Sequence, residues 1–292
     1  MIEQTYRLAT DNEITFYHDR LYPLQDIVFA EATVFADAIY LTGGTALARF
    51  HFQHRLSEDL DFFTQDAQLP YIANDLIARL QHRGLNVAVE QVSAWFVRFF
   101  VVDQEVRLKI DLVRDALLTG DLVRLPQGVF TNSLLDIGAN KITAFKDRAE
   151  IKDIIDLYYI CQGVELPALF ALADRKRVPV AYEQLLTINQ QGVSGSALLT
   201  KPIAAAALHD FLLRLQLATE MEVKKKRCRR RGRLSRSFRI SCGIFRQKRG
   251  GFQNSRGQYC NGGCGACPCR GGGRLQHPCA REEWVAPSYQ CT

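Results

Sequence analysis

The chain has 292 residues, 47% of them apolar, enough for a substantial core in one large or two modest domains. Its net charge of +6 conceals a division: residues 223–292 hold 17 of the 37 Lys and Arg residues and only two acids, so the remainder is acidic, which excludes a body built simply to coat nucleic acid. Eight of the nine cysteines lie beyond residue 222 and only Cys161 lies in the body, as in a reduced cytoplasm; the strongest apolar run, 94–102, contains Arg98 and is too short for a membrane span. Residues 1–13 have neither a basic start nor an apolar stretch, so no signal peptide is expected and the location expected is cytoplasmic, with no membrane partner.

In chain order, residues 11–37 read as helix interrupted by Pro23, with Ile27, Ala30 and Val34 as the inward stripe. Residues 38–42 form an apolar strand that ends on a double glycine, 45–53 the next helix and 59–64 the next strand. Ile72, Leu76 and Leu80 have helical spacing, and Gly84 stands where a C-terminal cap belongs. Residues 85–113 are rich in Val, Phe and Ile and turn at Asp103-Gln104, which predicts two or three antiparallel strands. Helical patterns fill 133 to about 220. The fold class expected is α+β: a small mixed β-sheet with N-terminal helices and a mainly helical C-terminal half.

Gly43-Gly44-Thr45 leaves backbone N–H groups uncovered at a helix start, where they can take a phosphate. Asp59 and Asp61 project from one face of a strand while Leu60 and Phe62 anchor the other, so the two carboxylates can hold a divalent cation such as Mg²⁺ or Mn²⁺ beside that phosphate. Alone, Asp-x-Asp reads as a solvated strand edge; the glycine turn ahead of it points instead to phosphoryl or nucleotidyl transfer. In 108–112 the apolar residues alternate inward and turn Lys109 and Asp111 outward; Asp111 is a third metal ligand, the acceptor of a hydroxyl proton, or a surface acid near a strand end. Lys141 and Arg148, seven apart and so expected on one helix face, could bind triphosphate oxygens or merely face water. Asp153 and Asp156, at i and i+3, could hold those two cations, touch the nucleotide, or belong to a surface salt-bridge network.

The runs Leu41-Thr42-Gly43-Gly44-Thr45-Ala46-Leu47 and His54-Arg55-Leu56-Ser57-Glu58-Asp59-Leu60-Asp61-Phe62-Phe63 together resemble the signature of the AbiEii toxin family, in the nucleotidyltransferase superfamily that includes DNA polymerase β. Lys141, Arg148 and Lys152-Asp153 with Asp156 fall where that family has its later Lys/Arg and Arg-Asp-x-x-Asp motifs, with Lys152 replacing an Arg and losing its bidentate fork. The resemblance spans roughly residues 10–215. It implies a metal-dependent enzyme that uses a nucleoside triphosphate, commonly the toxin of a bacterial toxin–antitoxin or phage-defence pair, with RNA and the tRNA acceptor end among the targets of relatives. On that basis residues 1–130 are the catalytic core and 131–222 a helical domain completing the nucleotide site. Asp59, Asp61 and Asp111 are the metal ligands. Gly43, Gly44, Thr45, Lys141 and Arg148 hold the nucleotide, and Lys141 and Asp153 join the carboxylates as catalytic residues.

Residues 223–292 form a basic tail rich in Gly and Cys, expected to be disordered beyond a helix that ends near Glu222, or the product of a shifted reading frame. Cys260, Cys264, Cys267, Cys269, Cys279 and His277 could supply zinc, although four cysteines crowded into ten residues lack the two-pair spacing of a structural site. Two other readings stay open: a catalytically impaired protein that binds a nucleotide or an antitoxin, and a nucleic-acid-binding protein acting through the tail.

Overall fold

A computed structural model of the chain describes residues 5–115, 117–145, 147–176, 180–191 and 193–247. Residues 1–234 and 235–292 form two compact units, and the described part of the second is helical backbone. The chain opens with strand β1 (Tyr6–Leu8) and helix α1 (Asp11–Phe16). Thr10 starts α1 with a reciprocal cap: its hydroxyl accepts from the Glu13 N–H at 3.3 Å, and the Glu13 carboxylate accepts from the Thr10 N–H at 2.9 Å. A wide turn, Tyr17–Leu21, leads into α2 (Tyr22–Ala32), whose first turn holds Pro23, where a missing N–H is harmless.

The buried stripe of α2 is Leu24, Val28, Phe29 and Ala32, which corrects the expected Ile27, Ala30 and Val34; Val34 is 57% exposed. Leu24, Val28, Phe29 and Ala32 fall on one face of α2, and burying it turns Ile27 and Ala30 aside; Val34 lies beyond α2, in the tight turn Thr33–Phe35. Strand β2 (Ile39–Thr42) then enters the short helix α3 (Gly43–Thr45), continued by a second wide turn, Ala46–His51. Strand β3 (Leu60–Thr64) follows, then α4 (Leu69–His82) and the strands β4 (Asn86–Val92), β5 (Phe96–Asp103), β6 (Val106–Arg114), β7 (Val123–Arg124) and β8 (Phe130–Thr131).

These strands make one seven-stranded mixed sheet in the order β4-β5-β6-β3-β2-β8-β7. The β4–β5–β6 meander is antiparallel, β3 lies parallel to β6, and β2 is antiparallel to β3. Two-residue strands such as β7 and β8 carry too little alternation to be read from sequence. Helix α4 buries Ile72, Ala73, Leu76 and Leu80, and the alternating residues Val97, Phe99, Leu108 and Ile110 bury one face of the meander. Each large apolar side chain so buried contributes roughly 1.5–3 kcal/mol before ordering entropy. Gly84 ends α4 at φ +82°, where the Leu85 N–H reaches the Leu80 carbonyl.

The second half holds α5 (Leu134–Ala144), capped by the Ser133 side chain, α6 (Ile151–Ile160), α7 (Leu166–Arg175), α8 (Tyr182–Gln191), β9 (Ala197–Leu199) and α9 (Ala205–Gln247). Lys176, 1% exposed, ties it to the sheet side: its ammonium donates to Asp115 at 3.1 Å and to the Leu117 carbonyl at 2.6 Å, and Tyr40 donates to the same Asp115 carboxylate. β9 returns to pair in parallel with β1, a long-range contact of three-residue strands that local pattern does not show. The backbone stays helical through Gln247, which corrects the expected end near Glu222: Arg and Lys are good helix formers, and the Gly-rich sequence becomes dense only later. Residues 248–292, with the candidate zinc ligands Cys260, Cys264, Cys267, Cys269, His277 and Cys279, lie outside the described residues.

Candidate active site

A cavity of about 650 Å³ opens between the β3–β6 strand ends and the α5–α6 region, within the usual range for a small-molecule site. One wall carries Asp59, Asp61 and Asp111, with Arg98 and Lys109 beside them; the other carries Arg55, Lys141, Arg148, Glu150 and Lys152. Residues 194–198 and Arg7, Glu13 and Tyr17 close the rim.

The carboxylate wall follows from strand register. Asp61 stands directly beside Asp111 in the parallel β3–β6 ladder, with Leu60 and Phe62 fully buried on the opposite side as the alternation predicts. Arg98, opposite Asp111 on β5, grips it through two hydrogen bonds of 2.7 and 2.8 Å, and Lys109 meets Asp59 at 2.7 Å. Among the described residues Asp61 has no such cation. Burial, then the neighbouring Asp111 and Asp59, push its pKa above the ordinary carboxylate value, against the weaker pull of Lys141 and Lys109.

The glycines serve close approach here. A Cβ on Gly43, which sits at φ +72°, would lie 2.4 Å from Asp61 Oδ2, and one on Gly44 would lie 2.4 Å from Arg55 Nη2. Thr45 is buried; its hydroxyl donates to the Asp59 carbonyl and accepts from the Ser57 hydroxyl at 2.9 Å, so it positions the carboxylate strand. Of Gly43, Gly44 and Thr45, only Gly44 lines the cavity.

Behind the cationic wall lies a buried ion cluster. Arg55 Nε and Nη2 donate to the two oxygens of Asp156, each at 2.8 Å, and His54 Nε2 lies 2.8 Å from the same carboxylate. The Lys141 ammonium meets Asp153 at 2.8 Å and Asp156 at 2.7 Å, both acids having no exposed side-chain surface. Burial would raise the pKa of Asp156, but Arg55, Lys141 and His54 hold it well below the carboxylate range; burial likewise opposes the charge of Lys141, and Asp153 and Asp156 outweigh it. Burial keeps His54 below its ordinary value and therefore neutral at pH 7.

Lys141 and Arg148 do not share a helix face as their spacing suggested. Helix α5 ends at Ala144 and Arg148 lies in the following loop, since Asp147 and Arg148 both turn back to the Ala144 carbonyl. What joins the two cations is Asp153, with Arg148 Nε at 3.3 Å from it and Arg148 still 45% exposed. Asp153 and Asp156 thus form a buried cluster instead of the surface network also considered for them, and neither lines the cavity.

The family described as "Nucleotidyl transferase AbiEii toxin, Type IV TA system" matches residues 26–230. The chain belongs to this family. Among solved structures, MenT4, a nucleotidyltransferase toxin from Mycobacterium tuberculosis, shares the fold at 18% identity and a TM-score of 0.52, covering 68% of this chain and 82% of that one. JHP933 from Helicobacter pylori gives 19% identity and a TM-score of 0.47 over 78% of this chain and all of that one. A curated relative, a light-independent protochlorophyllide reductase component of Cyanophora paradoxa, is 24% identical over 179 residues; the match spans 57% of this chain and 38% of the relative's length.

For this AbiEii-family nucleotidyltransferase, the sequence reading passed over Arg55, Arg98 and Lys109 as site residues. Two left a local trace: Arg98 interrupts an apolar run and Lys109 alternates with Asp111. Residues 194–198 left none, because only folding brings them to the rim. The donor chemistry suits a hard divalent cation, with three carboxylates on or beside adjacent strands and Asp61 without an ion-pair partner among the described residues. Asp59 and Asp111 are closed by Lys109 and Arg98, and among the described residues no three His, Cys, Asp or Glu side chains converge as a ready metal cage. No described helix is long and apolar enough to cross a membrane.

Proposed function

We propose that the chain binds a nucleoside triphosphate in this cavity and transfers its nucleotide to the hydroxyl of an RNA acceptor such as a tRNA, as the toxin partner of a cognate antitoxin in phage defence. The observation that carries the reading is the pairing of opposite walls across one cavity, Asp59, Asp61 and Asp111 facing Lys141, Arg148 and Lys152. Asp59, Asp61 and Asp111 come from residues 1–130 and Lys141, Arg148 and Lys152 from residues 131–222, with Arg55 of the first segment held against the second by Asp156; this supports reading the two segments as a catalytic core and a helical domain.

Asp59 and Asp61, with Asp111 beside them, would hold Mg²⁺ or Mn²⁺, which neutralises phosphate charge and polarises the reacting phosphoryl group. Arg148 and Lys152, both partly exposed, reach phosphate oxygens, and the Gly44 backbone lines the same space. Lys141, held by Asp153 and Asp156, offsets charge on the departing pyrophosphate without reorganising. Release of the Arg98 fork frees Asp111 to accept the proton of the attacking hydroxyl.

The test is transfer of labelled nucleotide from each of the four ribonucleoside triphosphates into total RNA, with and without divalent cation. Cation-dependent labelling that Asp61→Asn abolishes is expected, together with slowed bacterial growth that the same change relieves. A folded wild-type chain that labels no RNA and leaves growth untouched would refute the reading.

A further inference from the structure

Helix α4 packs against the β4–β5–β6 meander, and most of the side chains that alternate away from its buried face stay exposed or partly exposed. Alternation places Phe96, Arg98 and Phe100 of β5 and Arg107 and Lys109 of β6 on this second face, opposite the buried Val97, Phe99 and Leu108. Both Phe rings are partly exposed, and each has a guanidinium over it: Arg107 Cζ lies 3.6 Å from the Phe100 ring centroid and Arg98 Cζ lies 5.1 Å from that of Phe96. Among the described residues, Arg107 has no carboxylate partner, so its charge and the outer side of its plane are open to a ligand.

The face is continuous with the cavity. Arg98, Lys109 and Asp111 belong to both, so anything lying across Phe100 and Phe96 leads toward the carboxylate wall. The two rings stand four residues apart on one strand, about 13 Å by strand rise, which leaves room for two separate stacking positions. A flat sheet carrying aromatic rings and arginine planes matches unpaired nucleobases, which stack on such groups whatever their sequence. A duplex offers no free base faces to it, and a protein helix would find charged planes where it needs apolar grooves.

We infer that this open face is a stacking platform for single-stranded RNA, with Phe100 and Arg107 as its shelf, and that it leads the terminal hydroxyl of the acceptor into the cavity. The inference rests on the transferase reading above for its purpose, and on the sheet face alone for its geometry. Phe100 and Arg107 do not line the cavity, so they act on the acceptor and leave the triphosphate unaffected.

The test uses the full chain and a fluorescein-labelled eight-nucleotide single-stranded RNA, followed by anisotropy at about 0.5 M salt, where phosphate contacts made by the basic residues beyond 222 weaken through counterion release. Arg107→Lys keeps the charge and loses the plane, and Phe100→Leu keeps an apolar side chain and loses the ring. Each is expected to raise the Kd for RNA at least about fivefold, the lower end of one base–aromatic stack, while the Kd for a labelled triphosphate stays at the wild-type value. Unchanged RNA binding in both variants overturns the inference, as it would if the face covered a protein instead. Equal binding of duplex RNA with equal losses overturns it too. Wild-type chain that shows the RNA effects and binds no triphosphate keeps the platform and removes the transferase reading.

Discussion

The two walls of the cavity are built on opposite electrostatic plans. On the α5–α6 side, Arg55, Lys141, Asp153 and Asp156 are paired, hydrogen-bonded and out of water. On the strand side, Asp59 and Lys109 keep about a third and a quarter of their side-chain surface exposed, Asp111 shares a fork with a partly exposed Arg98, and Asp61 has no paired cation among the described residues. A desolvated, fully paired cluster resists rearrangement, because separating any member leaves a buried charge alone. Half-exposed pairs exchange partners at little cost. Under the proposed function the buried cluster holds Lys141 in place, and the contacts exchanged for ligand are the half-exposed ones, on the strand side and at Arg148 and Lys152.

The largest effect expected from breaking this contrast is on folding. Asp156→Asn leaves Arg55 and Lys141 buried without their shared carboxylate, and should lower stability by about 3–5 kcal/mol, read as a fall in urea midpoint. Asp61→Asn should do the reverse: transfer falls at least about a hundredfold, or ~2.7 kcal/mol, with the midpoint unchanged or slightly raised since a poorly compensated charge is removed. If both variants lose stability equally, the two walls do not differ as described. Arg148→Ala should weaken triphosphate binding by about fivefold, equivalent to ~1 kcal/mol, with little change in melting temperature because Arg148 is 45% exposed. A wild-type triphosphate Kd in that variant would assign Arg148 to solvent.

The smallest effect sharpens the comparison by pH. His54 has a lowered pKa in the fold, so below its unfolded value near 6.5 the unfolded chain takes up a proton that the buried ring refuses, and stability falls as pH drops through that window. Asp156 is also lowered: its contribution is full above the ordinary carboxylate value near 4 and is lost as pH falls from there toward its folded value. Melting temperature should therefore fall in two stages on acidification. His54→Gln, which can still donate to Asp156, should shrink only the upper stage, to which His51, likewise lowered by burial, also contributes; a pH profile identical to wild type would place the first loss elsewhere.

The strand alternation around Leu60, Phe62, Leu108 and Ile110 was legible in sequence, and with it the projection of Asp59, Asp61 and Asp111 to one side. So were α4 with its Gly84 cap and the antiparallel turn after Asp103, since each depends on neighbours within a few residues. The family signature was legible too, and with it the expectation of a shared chemistry. Tertiary structure alone decided that β3 and β6 lie in register, that Gly43 and Gly44 make room for Asp61 and Arg55, and that Asp156 closes over a residue 101 positions away. It also overturned the shared helix face of Lys141 and Arg148 and the stripe of α2, because a helix end breaks the spacing and core packing decides which apolar side of a helix is buried. Periodicity reports which side of an element is apolar; which charge faces which across a cavity depends on contacts between distant segments, and those exist only once the chain has folded.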